Sequence, residues 1–333
     1  MQRVSLSDGN GGFEGGNFIQ KLFFASFKNE ILQHSQDGAV LENNQKNNLV
    51  VSTDSFTVQP LFFSGGDIGK LSICGSCNDI AMMGAVPRYL SVAFIIEEGF
   101  LYSHLQKIVE SMAKELQING TKVVCGDTKV VPKGAVDGVF INTTAFGYTQ
   151  KNINSFNIKE GDSIIVSGDI GRHGTVIFAA RKGIDLHTSL QSDCASLSVV
   201  VKELLSHDVQ IKAMRDATRG GLAAVLNEWA KESQTSIEIM DESVPICDEV
   251  AGVSEILGFD PFVLANEGTF VLAVAKEDED KVLRVLQGFE TTQNAAIIGT
   301  VTPKGIYGVT LHSSYGTKKP LEMPSGEILP RIC

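Results

Sequence analysis

Asp67-Ile-Gly-Lys-Leu-Ser-Ile-Cys-Gly-Ser-Cys-Asn-Asp-Ile-Ala-Met-Met-Gly84 is the stretch from which the fold is read. It predicts a helix, with Asp67 suited to cap the N-terminus by accepting from the free N–H groups of the first turn. Asn78 and Asp79 then stand among small and apolar residues, where an uncompensated charge is unfavourable. In a continuous helix Asp67 and Asp79 lie about 18 Å apart, at ~1.5 Å per residue, so they do not share one ion. Cys74 and Cys77 form a C-x-x-C, but no second pair or nearby His completes a zinc site. Two core thiols one turn apart are expected instead. Gly65–Leu71 superficially resembles a P-loop, but has one residue too few between its glycines and Leu71 where Ser or Thr is required.

Upstream, Leu49–Val58 predicts a strand interrupted by Asp54. A buried acid is costly unless it is paired or meets a cation, so Asp54 either binds a metal or ligand or marks a turn or edge. Residues 7–17 form a glycine-rich loop, including Gly11 and Gly12, before an apolar helix with Ile19, Leu22, Phe23 and Phe27. Such a loop can aim backbone N–H groups at phosphate or can simply be flexible.

Downstream, a strand (Tyr89–Ile96), a helix (about Leu101–Leu116) and a strand ending Val123-Val-Cys-Gly-Asp127-Thr128-Lys129 are predicted. The Gly-Asp-Thr-Lys segment is expected as a turn at the strand end, suited to phosphate and metal, though surface turns share this composition. A strand around Gly138–Thr149 closes the first half, and the polar stretch Gln150–Glu160 reads as a domain boundary.

The second half predicts strands at Ser163–Ser167, Thr269–Ala275, Ala295–Val301 and Ile306–Leu311. Helices are expected near Ala195–Ser206, Leu222–Lys231, Cys247–Leu257 and Glu279–Gln287. Arg215-Asp216-Ala-Thr-Arg-Gly-Gly221 is a turn before a helix, a setting for anions. With 333 residues the chain is too long for one ordinary core. The irregular alternation of strands and helices in both halves suggests two α+β domains. The expected divisions are 1–153, 154–316 and a tail, 317–333.

A net charge of -11 argues against non-specific binding to nucleic acid or an anionic membrane. No apolar run is long enough to span a bilayer and no apolar leader is evident, so a cytoplasmic protein is expected. Six scattered cysteines are not a disulfide framework, and six histidines show no metal spacing. The tail carries Pro320, Pro324, Gly326 and Pro330 and ends Arg331-Ile332-Cys333. Thirteen extended residues reach roughly 40 Å at about 3.3 Å each, enough for an arm that carries the Cys333 thiol into an active site. The alternative is an incidental terminus.

Taken together, Ser52–Ser55, Gly69–Gly84, Gly126–Val130, Arg215–Gly221, Asn266-Glu267-Gly268 and Pro330–Cys333 resemble the HypE family of hydrogenase maturation proteins. These are carbamoyl dehydratases in the superfamily of aminoimidazole ribonucleotide synthetase and selenophosphate synthetase. The resemblance runs in order over nearly the whole chain. It implies a two-domain α+β fold, with an N-terminal mixed sheet or half-barrel domain that dimerises and a C-terminal α+β domain. It also implies ATP and Mg²⁺ near the homodimer interface, and a carbamoyl group on Cys333 dehydrated from thiocarbamate to thiocyanate. The partners implied are the carbamoyltransferase HypF as donor and an iron-carrying HypC–HypD complex as cyanide acceptor.

Within that reading Asp54, Asp79, Asp127 and Asp216 are the expected Mg²⁺ ligands. Glu267 is the expected base, its alternative being a cap or surface acid, and Lys129 stabilises developing negative charge. Gly11, Gly12, Asp54, Asp67, Asn78, Asp79, Asp127, Thr128 and Asn266 are expected to hold the nucleotide. Two positions depart from the family pattern: Asp8 replaces the His of a His-Gly pair, and Thr269 stands where Lys is frequent. Another ATP-dependent synthetase of the selenophosphate type, and a non-catalytic carrier using Cys333, are the competing readings.

Overall fold

Helix α1 (Ile68–Met82) is buried along almost its whole surface. The computed structural model describes residues 47–184 and 189–325, strand 39–41, and residues 13, 16, 17 and 20. Gly11, Gly12, Ile19, Leu22, Phe23 and Phe27 of the predicted helix, and Cys333 lie outside these residues. Asp67 caps α1 as expected: its Oδ1 accepts from the N–H groups of Gly69 at 2.7 Å and Lys70 at 3.1 Å.

A helix without a polar face needs protein on every side, and α1 obtains it from both halves of the chain. Leu71, Ile73, Cys74, Cys77 and Ile80 pack with Phe56, Leu90, Val92 and Ile141 in the first core. At the C-terminal end Ala81 and Met82 pack instead with Leu197, Val200, Phe270 and Leu272 of the second half. The described cysteines, Cys74 and Cys77 among them, are free thiols.

The first sheet contains β1 (Ala39–Leu41), β2 (Asn48–Phe56), β5 (Val86–Glu97), β6 (Lys122–Val131) and β7 (Val139–Thr149). Its order is β1-β2-β7-β5-β6, antiparallel except for the β5–β6 pair, which helix α2 (Tyr102–Asn119) joins. The short strands β3 (Phe62–Phe63) and β4 (Gly66–Asp67) form a separate hairpin before α1.

The second sheet comprises β8 (Ser163–Val166), β9 (Ile211–Asp216), β10 (Ser236–Met240), β11 (Phe270–Val274), β12 (Ala296–Thr302), β13 (Val309–His312) and β14 (Lys318–Pro320). Their order is β14-β13-β10-β12-β8-β11-β9. Five helices accompany it: α3 (Arg172–Lys182), α4 (Ser198–Ser206), α5 (Gly221–Ser233), α6 (Asp248–Leu257) and α7 (Glu279–Leu286). Every residue of β11 is buried, yet the strand keeps a period of two. Val271 and Ala273 face the α5 side with Leu222 and Trp229, whereas Phe270, Leu272 and Val274 face α4 and α7. Helices on both faces explain why such central strands read as unbroken apolar runs.

Three differences from the sequence expectation bear on function. Gly126-Asp127-Thr128-Lys129 is not a terminal turn but the middle of β6, which pairs with β5 as far as Val131. Gly126 permits that approach, since a Cβ there would sit 2.4 Å from the Val92 carbonyl oxygen. Arg215 and Asp216 close a strand, β9, that their charges concealed in the sequence. Lys318–Pro320 continues the second sheet and Leu321 is buried, so ordered packing extends into the stretch read as tail. An edge strand accommodates its proline. Among the described residues no helix is long and apolar enough to cross a membrane.

The α1–α2 contact is close enough to test. A Cβ on Gly69 would meet the Ile108 carbonyl oxygen at 2.3 Å and the capping Asp67 Oδ1 at 2.8 Å. Gly69→Ala is therefore expected to cost about 1–3 kcal/mol, as overpacking does. Equilibrium denaturation measures this, and an unchanged midpoint would contradict the contact.

Candidate active site

Asp54 on β2, Asp79 on α1, Asp216 at the end of β9 and Glu267 before β11 line one cavity of about 250 Å³. α1 lies across β2, so the Ser52 hydroxyl donates to Asp79 Oδ2. The Asp54 and Asp79 carboxyls are themselves hydrogen-bonded to each other. From the second domain, β9 and β11 pair with Phe270 opposite Asp216, which brings the Asn266–Gly268 loop beside the end of β9. Arg219, on the turn between β9 and α5, completes the wall: its Nη2 donates to Asp54 Oδ1 at 2.9 Å.

Burial raises the proton affinity of two of these acids. Burial pushes the Asp54 carboxyl up, against the lowering effects of Arg219 and of the Asp79 hydrogen bond. Glu267 is raised well above its usual range, first by burial and then by Asp216, Asp193 and Asp54, with Arg219 opposing. Buried carboxyls with raised proton affinity gathered in one cleft make it the candidate site for a cation or for proton transfer.

The Glu267 loop has its own support, which the sequence did not reveal. The Asp193 carboxylate accepts from the N–H groups of Glu267 (3.1 and 3.2 Å to its two oxygens) and Gly268 (2.9 Å). At Gly268 a Cβ would sit 1.8 Å from the Asp193 carbonyl oxygen, so only glycine fits. Thr269 donates to the Asp169 carbonyl at 3.1 Å, so this departure from the family pattern serves the scaffold.

Other expected nucleotide contacts also serve the scaffold. Buried Asn78 gives its amide to the Ala195 carbonyl at 3.0 Å and accepts from Leu197 N–H at 2.8 Å, tying α1 to the second domain. Asn266, wholly buried, accepts from Gly171 N–H at 2.7 Å and donates to the carbonyls of Ala217 and Leu264, each at 3.0 Å. Asp67 is held by its cap at the far end of α1.

Asp127, Thr128 and Lys129 do not join the cavity within one chain. The registers place Asp54 opposite Thr143, Thr143 opposite Val92, and Val92 opposite Gly126. Asp127 thus lies in nearly the same row as Asp54 but three strands away, roughly 14 Å at ~4.8 Å per strand. There it pairs with Lys129 at 2.9 Å on an exposed edge, and this contact lowers its pKa. A separate cavity of about 320 Å³, lined by Lys151, Lys159 and Lys212, contains none of the carboxylates.

Residues 35–149 match the N-terminal domain and residues 159–312 the C-terminal domain of the AIR synthase related protein family. The chain is 42% identical over 340 residues to the carbamoyl dehydratase HypE of Escherichia coli strain K12, covering 100% of both. It belongs to the HypE family.

Solved HypE structures superpose closely. HypE in a HypE–HypF complex matches with a TM-score of 0.87 at 42% identity, covering 92% of this chain and 99% of that one. HypE in complex with ATP matches with a TM-score of 0.83 at 40% identity, covering 99% of this chain and 100% of that one. The two-domain HypE architecture expected from the sequence is therefore the one present.

The raised Glu267 pKa predicts a pH signature. An acid whose pKa is higher in the folded state supports folding below its unfolded value and loses that support as pH rises through the folded value. Glu267→Gln should therefore raise the melting temperature at pH 8 without divalent ions, and the gain should fade toward pH 4.5, the ordinary value for Glu. A pH-independent difference would contradict the buried, repelled carboxyl.

Proposed function

We propose that this chain dehydrates a carbamoyl group carried on Cys333 at the expense of ATP, yielding a thiocyanate for the cyanide ligand of an iron centre. The observation that carries the reading is the carboxylate cleft at the domain junction, Asp54, Asp79, Asp216 and Glu267, in a chain of the HypE family. The HypE structure in complex with ATP supports a nucleotide here, and the HypE–HypF complex supports HypF as the carbamoyl donor. A HypC–HypD iron carrier is the proposed acceptor, in the cytoplasm.

The chemistry needs three things of the residues. ATP transfers its terminal phosphoryl group to the thiocarbamate oxygen, turning that oxygen into a leaving group. Nitrogen loses one proton in this step and a second as phosphate departs, leaving S–C≡N, ADP and inorganic phosphate. Glu267, its pKa raised from the carboxylate range, is the proposed base. Lys129, outside the cleft within one chain, would stabilise charge on oxygen or phosphate only by reaching it across the proposed homodimer.

Mg²⁺ fits the donor set in one specific way. Among the described residues no three His, Cys, Asp or Glu side chains surround a point closely enough for a protein-only cage. Mg²⁺ rarely needs one, since it keeps several waters and binds through one or two carboxylates plus substrate phosphates. Asp54 and Asp79, already sharing a hydrogen bond, are the pair that would hold it, with Asp216 nearby. When bound, the ion would offset phosphate charge.

A homodimer joined through the N-terminal domains is supported by β6. Its ten residues are exposed or half-buried, with Val123, Val124 and Val130 open to solvent beside Asp127, Thr128 and Lys129. An exposed edge strand of this kind offers unpaired backbone groups and apolar surface to a partner. Gly11 and Gly12 remain proposed phosphate contacts, and the divisions 1–153, 154–316 and 317–333 the proposed domains and tail, with the start of that tail, through Leu321, packed on the second sheet.

Asp79→Asn should abolish ATP hydrolysis while leaving the fold intact. Full hydrolysis by this variant would remove Asp79 from the metal site. The decisive experiment is intact mass after incubation with the carbamoyl donor system and ATP. An adduct of about 43 Da should form and then lose about 18 Da, with Cys333→Ser forming neither because a hydroxyl is a far weaker nucleophile. Glu267→Gln should accept the carbamoyl group and slow its dehydration about 10²- to 10⁴-fold. A selenophosphate-type synthetase would hydrolyse ATP without a carbamoylated tail, and a carrier would never lose the water.

A further inference from the structure

Arg219 reaches Asp54 from the other domain, and the two partners are held very differently. The Asp54 side chain is 18% exposed and the Arg219 side chain 50%. Behind Arg219 the turn is fixed by backbone: Gly220 and Gly221 have φ of 75° and 60°. A Cβ on Gly221 would lie 2.5 Å from the Leu264 carbonyl oxygen. The anchored partner is therefore the carboxylate, and the guanidinium is a side chain on a rigid base with solvent beside it. Its charge opposes the acids at both ends of the cleft, lowering the proton affinity of Asp54 and of Glu267.

A cation held by Asp54 would compete for the carboxylate that Arg219 now engages and would repel the guanidinium. We propose that Arg219 and the divalent cation compete for Asp54, so that loading the cleft releases Arg219 to face the nucleotide's phosphates. The planar five-donor fork of arginine suits phosphate oxygens as well as a carboxylate. This rests on the reading of the cleft as a cation site. Because Asp54 and Arg219 belong to different domains, the exchange also removes one ion pair across the junction and replaces it with contacts through the ligand.

The test is a Mn²⁺ titration of the full-length chain by electron paramagnetic resonance, without nucleotide, together with thermal melting with and without saturating Mg²⁺. Arg219→Gln should bind Mn²⁺ more tightly, on the order of threefold to tenfold for a partly exposed pair. It should melt lower than the wild type without divalent ions and lose that deficit when they saturate the cleft. Arg219→Lys, which keeps the charge, should fall between the two. Unchanged or weaker Mn²⁺ binding by Arg219→Gln overturns the competition, as does an equal loss of melting temperature in both conditions, the mark of a merely structural arginine. Should the wild type bind no Mn²⁺ even after a non-hydrolysable ATP analogue is added, the cation reading falls and the competition with it. Binding by the wild type with no change in Arg219→Gln removes only the competition.

Discussion

The structure depends on the burial of α1 between two domains. A helix carrying Leu71, Ile73, Cys74, Cys77, Ile80 and Met82 on different sides has no face to give to water. One sheet covers part of it, while α4 and the β8–β11 face of the second sheet cover its C-terminal end. The two domains therefore do not meet as independent bodies. They share a helix, and Asn78 fixes the arrangement by bonding to the backbone of the second domain at Ala195 and Leu197.

The cleft follows from that packing. Asp79 follows Asn78 on α1, directed to the neighbouring groove where β2 supplies Ser52 and Asp54. The same docking brings the ends of β9 and the Glu267 loop to the other side. Four acids are thus forced together by the fit of apolar surfaces elsewhere. Arg219 offsets part of their mutual repulsion. Such a cluster fits the proposed cation site.

Buried asparagines have a different task from the acids beside them. Asn78 and Asn266 adjoin Asp79 and Glu267 in sequence, and both spend their amides on backbone groups of the neighbouring loops. The neutral member of each pair positions the element, and the acid that follows it is left to the cleft. Asp193 acts similarly on the Glu267 loop, through backbone N–H groups, from a segment remote in sequence.

Sequence alone determined the helix, its Asp67 cap, the two buried thiols and most strands, because these depend on local apolar pattern and capping chemistry. It also marked Asp54 and Asp79 as acids out of place in apolar surroundings, while Asp216 and Glu267 came forward as site acids only through the family resemblance. Only the tertiary structure decided which of them meet. Strand order carries Asp127 and Lys129 three strands from Asp54, a separation set by backbone pairing that no local pattern encodes. The exchange of Arg215 and Asp216 from turn to strand has the same origin: β11 supplies the hydrogen bonds that make them a strand, and β11 lies more than fifty residues away.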